Sequence, residues 1–128
     1  MRRIAIILAA VTAGAWASPA LATQGMVCRP TSGKVPQLSL VIGAGGIAGA
    51  NLDEGRGWVG TMAQNPSLIL AQAWIDREQV LVDLVNSRWD RVAQLRVRFE
   101  RPVRGRPNAA RGTLTLRGRA IPVRCQED

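Results

Sequence analysis

Eleven arginines fall between residues 88 and 124, against only Asp90 and Glu100. Arginine carries a planar fork of donors that grips carboxylate, phosphate or sulfate groups two bonds at a time. From residue 23 to 87 the balance is four cations against five acids. The basic character therefore belongs to the C-terminal part, and Lys34 is the only lysine of the chain. The chemistry on offer is recognition of anions.

Catalytic chemistry finds little support. The chain has no histidine, which removes the commonest general base and every Ser-His or Cys-His arrangement. Serines 32, 39, 67 and 87 have no base to activate them; Lys34 sits in an irregular lead-in. Asp53, Glu54, Asp76, Glu78 and Asp83 could supply a carboxylate pair of the glycosidase kind, but most stand in turns. Asp83 interrupts an apolar run and, if covered, needs an arginine partner. The run Gly43-Ala44-Gly45-Gly46-Ile47-Ala48 follows a predicted strand and fits the dinucleotide fingerprint. That fingerprint needs a following helix to face the phosphates. Gly49, Asn51, Asp53, Gly55 and Gly57 forbid it, so the glycines serve a bulge or a loop. No metal site is expected, since two cysteines without histidine cannot complete a zinc tetrahedron. No cofactor is expected either, and the domain is read as non-enzymatic.

The two cysteines, Cys28 and Cys125, lie near the two ends of residues 23–128. Residues 1–22 have the order of a secretory signal peptide: Arg2-Arg3, an uncharged run over residues 4–15, then Pro19 and Ala20-Leu21-Ala22. Cleavage is expected after Ala22, with Ala17 as an alternative. A membrane anchor fits less well, because the run is about 12 residues where a span needs about 20. Export to the periplasm or the medium makes the lone cysteine pair a disulfide.

Residues 23–128 then form a single domain. Period-two alternation marks residues 38–42, where Leu38, Leu40 and Ile42 face one way. It is clearest over residues 93–101, where Leu95, Val97 and Phe99 oppose Arg96, Arg98 and Glu100. Residues 58–63, 67–75, 80–85, 113–117 and 120–126 read as further strands, and residues 26–29 as a possible one. Residues 67–75 also admit a helix capped by Ser67; the short, nearly continuous apolar run favours a strand, with Trp74 inside. Tight turns fall at residues 76–79, 86–91 and Gly118-Arg119. The fold class is all-β: a small antiparallel meander of about seven short strands, closed as a barrel or folded as a sandwich, with one disulfide joining its N- and C-terminal strands.

On that plan Arg96, Arg98, Arg117 and Arg124 have the parity opposite to the apolar positions. They share one outer surface if their strands are neighbours. Trp89, between Arg88 and Asp90, is a candidate anchor beside them. The expected partners are anionic lipid head groups, anionic glycans or an acidic protein of the cell envelope. Nucleic acid is disfavoured because no aromatic residues interleave with the arginines. The alternative is a structural envelope protein whose arginines only keep it soluble; a small hydrolase or enzyme inhibitor is more remote. In general plan such a barrel is similar to the small periplasmic lysozyme inhibitors, but those carry tyrosine-containing motifs and this chain has no tyrosine.

Overall fold

The computed structural model describes residues 24–62 and 66–128. The expected leader, residues 1–22, lies outside the described residues. Nine strands form: β1 (Gln24–Pro30), β2 (Gln37–Gly43), β3 (Gly46–Asp53), β4 (Trp58–Gly60), β5 (Ile69–Ile75), β6 (Gln79–Val85), β7 (Arg91–Phe99), β8 (Ala109–Leu116) and β9 (Arg119–Glu127). They make one sheet in the order β4-β3-β2-β1-β9-β8-β7-β6-β5, antiparallel throughout. Every neighbour follows its predecessor along the chain except β1 and β9, which zip the two ends together. The sheet curls into a nearly closed barrel. At the remaining seam β3 approaches β5, and Leu68 N–H donates to the Gly60 carbonyl at 3.4 Å. Among the described residues no helix is long and apolar enough to cross a membrane.

The interior is aliphatic and follows strand parity. Met26, Cys28, Leu38, Leu40, Leu52, Val80, Val82, Leu84, Leu95, Val97, Leu114, Val123 and Cys125 are at most 1% exposed. Each of the Met, Leu and Val side chains among them contributes about 1.5–3 kcal/mol of burial. Cys28 and Cys125 stand opposite each other in the β1–β9 register and are bonded, closing 97 residues of sequence separation. A disulfide of this kind fits an oxidising compartment.

Three features depart from the sequence reading. The strand count is nine rather than about seven, because β1 is a full strand and β3 occupies residues read as a glycine-rich turn. The Gly43–Ala48 run is the β2–β3 hairpin: Ala44-Gly45 make the turn, Gly43 faces Gly46, and a bulge lies between Val41↔Gly49 and Ile42↔Ile47. Trp74 is 55% exposed rather than in the core. A second bulge explains it. Leu70 pairs with Leu84 and Gln72 with Asp83, so Ala71 is the extra residue. One extra residue inverts the faces; Leu70 stays inside, and beyond the bulge Ala73 and Ile75 turn inward while Trp74 turns out.

Candidate functional site: an arginine row across four strands

The outer face of β7, β8, β9 and β1 carries arginines in register. Arg98 pairs with Arg111, Arg111 with Arg124, and Arg124 with Arg29. All four are exposed. Adjacent strands lie about 4.7–4.9 Å apart, so the row spans three steps, roughly 14 Å. Like charges placed directly opposite one another destabilise a sheet, and two glutamates relieve part of this. Glu100 meets Arg111 Nε at 2.5 Å and Arg124 at 3.8 Å, and Glu78 meets Arg98 at 3.8 Å. Arg29 makes no ion pair among the described residues. Four cations against two carboxylates leave the row at a net charge of about +2.

Arg29, Arg111 and Arg124, with Val27, Pro30 and Thr31, line a concavity of about 450 Å³. Where β7 enters its loop, Arg98 and Arg101 join Phe99, Pro102 and Ile75 around a barrel mouth of about 660 Å³. Arg104 and Arg106 stand exposed on the same loop. Asp76, Glu78, Glu100 and Glu127 also line the mouth, so its charge is mixed, and the excess of cations lies on the barrel wall and the loop beyond it.

The other expected site residues are placed elsewhere. Arg96 lies one outward row away and points its guanidinium at the sheet. It pairs with the buried Asp83 at 3.0 Å and donates to the Leu95 carbonyl at 2.8 Å. It compensates the one charged side chain buried among the described residues and is a brace for β6–β7. Arg117 is not on β8. It forms the β8–β9 turn with Gly118, at φ 47° and 85°, the paired left-handed conformation of a two-residue hairpin. There it hydrogen-bonds Glu54, which pushes its pKa up. Trp89 is 68% exposed with φ 64°. Its loop is held by the Asn86 side chain, which accepts from the Arg88 and Asp90 N–H groups at 2.9 and 3.0 Å. It precedes Arg91, seven strand residues from Arg98, or roughly 24 Å at ~3.4 Å per residue. Trp89 and Arg117 thus mark the end of β7 opposite the mouth.

The sequence reads Arg111, with Arg101, Arg104 and Arg106, as part of a basic loop beside the arginine face, whereas it lies within β8 opposite Arg124. Arg29 was missed by sequence reasoning, although a signal for it existed. If Cys28 faces Cys125 in an antiparallel pair, Arg29 must face Arg124.

At the mouth, the Trp74 indole N–H donates to Asp76 at 2.9 Å, and the Glu78 and Gln79 N–H groups donate at 2.7 and 2.8 Å. The indole first, then the two backbone donors, hold the Asp76 carboxyl below its ordinary value of 3.8. A depressed carboxylate stabilises the folded state fully above its unfolded pKa and ceases to do so as pH falls through the folded one. The Trp74 contribution to fluorescence, taken as the difference from a Trp74→Phe variant, is expected to stay constant through the ordinary aspartate range and change only below it. Asp76→Asn removes that transition; a transition at the ordinary value would contradict the assignment.

Comparison with known protein families, curated proteins and solved structures finds no match to this chain, so its functional reading rests on these side chains.

Proposed function

We propose that the chain is an exported, non-catalytic β-domain of the periplasm or the extracellular medium that binds an anionic partner through the row Arg98, Arg111, Arg124 and Arg29. The observation that carries this is the register itself. Four guanidinium groups on four successive strands oppose one another without an equal number of carboxylates. That repulsion lowers stability, and an anion seated on the row relieves it. The concavity beside Arg29 supplies room for such a group.

The test is binding to phosphatidylglycerol vesicles, a sulfated glycan and an acidic protein at two salt concentrations. Binding to at least one is expected, and to weaken as the screening length falls from about 30 Å at 0.01 M to about 3 Å at 1 M. Arg111→Gln with Arg124→Gln is expected to weaken it at least tenfold, since each hydrogen bond to a charged group contributes about 1.5–3 kcal/mol. Failure to bind any of the three at low salt refutes the proposal. The pairing of Glu100 with both Arg111 and Arg124 favours a second reading, in which the row is a self-neutralised wall of a structural envelope protein. That reading expects no binding in any arm.

A further inference from the structure

Building on that reading, we infer that the occupant of the row is a flexible linear polysaccharide carrying sulfate or phosphate groups. The geometry of the row separates this class from flat or rigid anionic surfaces. Three of the nine strand positions are traversed between Arg98 and Arg29, about a third of the barrel's circumference. The row also runs obliquely. Arg98 is the penultimate residue of β7, where that strand enters the mouth loop. Arg29 is the penultimate residue of β1, where the chain leaves by the opposite end. Arg29, Arg111 and Arg124 line a local concavity on a wall that curves away as a whole, so a bilayer or a rigid protein face reaches only part of the oblique, wrapped row. A flexible chain follows all of it.

The spacing agrees. Successive arginines are rooted one strand step of about 4.8 Å apart in the sheet, comparable to the length of one pyranose residue, so a chain of a few sugars spans the row. Tetrahedral oxyanions suit those forks, accepting two parallel N–H bonds from one guanidinium. Single-stranded nucleic acid is also linear and anionic. Its usual proteins stack bases on aromatic side chains beside the cationic track. The row from Gln79 through Arg98, Arg111 and Arg124 to Arg29 has none, and the exposed Trp74 nearby is engaged by Asp76.

The test titrates the oxidised protein with heparin-derived di-, tetra-, hexa- and octasaccharides. Parallel arms use sodium sulfate, phosphatidylglycerol vesicles and a single-stranded DNA oligomer. Affinity is expected to rise at least about tenfold from disaccharide to tetrasaccharide, as linked contacts become intramolecular, and then to level off as the row of roughly 14 Å fills. Arg29→Gln removes most of that gain, whereas Arg119→Gln, on an exposed residue outside the row, leaves it unchanged. The inference is overturned by length-independent binding, or by vesicles or DNA binding as tightly as the octasaccharide. If vesicles or DNA bind best and Arg111→Gln with Arg124→Gln abolishes that binding, the anion site stands and only the ligand class fails. Binding in no arm removes both. Cooperative urea unfolding with a midpoint no lower than the parent's in each variant shows that the fold is retained.

Discussion

Replacing Cys28 and Cys125 together by alanine is expected to lower the free energy of unfolding by about 4–5 kcal/mol. The bond spans 97 residues, and for a loop near that length the chain-entropy relation gives about 4.7 kcal/mol. Both sulfurs sit in the fully buried core, so truncation also forfeits packing. Small domains have only about 5–15 kcal/mol in total. The variant is therefore expected to stand near the folding threshold at ambient temperature. The position of the bond sharpens the expectation. Every other strand pairing is closed by a local connection, whereas β1–β9 joins the two ends of the domain and alone carries the full loop-closure entropy. The same pairing sets Arg29 against Arg124. Reduction is thus expected to release Arg29 and remove the length-dependent part of anion binding before the rest of the barrel melts. Urea titration of the oxidised protein and of the double variant, with anion binding measured alongside, checks both statements. A loss of stability under about 1 kcal/mol would show that the sheet holds β1 against β9 unaided.

The parts of this architecture legible in the sequence were those written in side-chain alternation. β7 was read almost to its ends because Leu95, Val97 and Phe99 alternate cleanly with Arg96, Arg98 and Glu100. The disulfide was legible because two cysteines allow one pairing. β3 was hidden because Gly46, Gly49, Asn51 and Asp53 have turn composition. Two of these residues are dictated by their neighbours. Gly49 lies against the Met62 side chain, and Asn51 faces Gly60, where a Cβ would stand 2.6 Å from the Ala50 carbonyl oxygen. Such close approaches are tertiary facts that composition does not encode.

Register was the other loss, and it moved the candidate site. Placing the last turn at Gly118-Arg119 keeps Arg117 on the outer face of a strand. The turn lies one residue earlier, at Arg117-Gly118. That shift sends Arg117 to the barrel end and aligns Arg111 with Arg124. Trp74 crossed the sheet for the same kind of reason, through the single extra residue Ala71. Alternation fixes which residues share a face of one strand. Only turn geometry and bulges fix which residues meet across strands, and a row of cations is a cross-strand object.

Gly112→Ala tests how closely the row depends on the strand spacing beneath it. Gly112 lies in β8 between Arg111 and Thr113, opposite Val97 on β7 and Val123 on β9. A Cβ added there would collide with the Arg96 carbonyl oxygen and stand 2.7 Å from the Val97 Cα. These are backbone atoms of the paired strand, so no side-chain rotation relieves the clash, and β8 must draw away from β7. The expected loss is about 3 kcal/mol, at the upper end for overpacking. Gly45→Ala, in the β2–β3 turn with nothing within 4 Å of the added atom, is expected to change stability by no more than about 0.5 kcal/mol. Because Arg98 and Arg111 face each other one pair away from Gly112↔Val97, the displacement also parts the row between its first and second members. The variant is therefore expected to lose anion affinity at temperatures where it remains fully folded, whereas Gly45→Ala retains it. Equal stability of the Gly112→Ala variant and the parent in urea would mean that β8 can yield without cost, and the row would then owe its spacing to the glutamates rather than to the packing of the sheet.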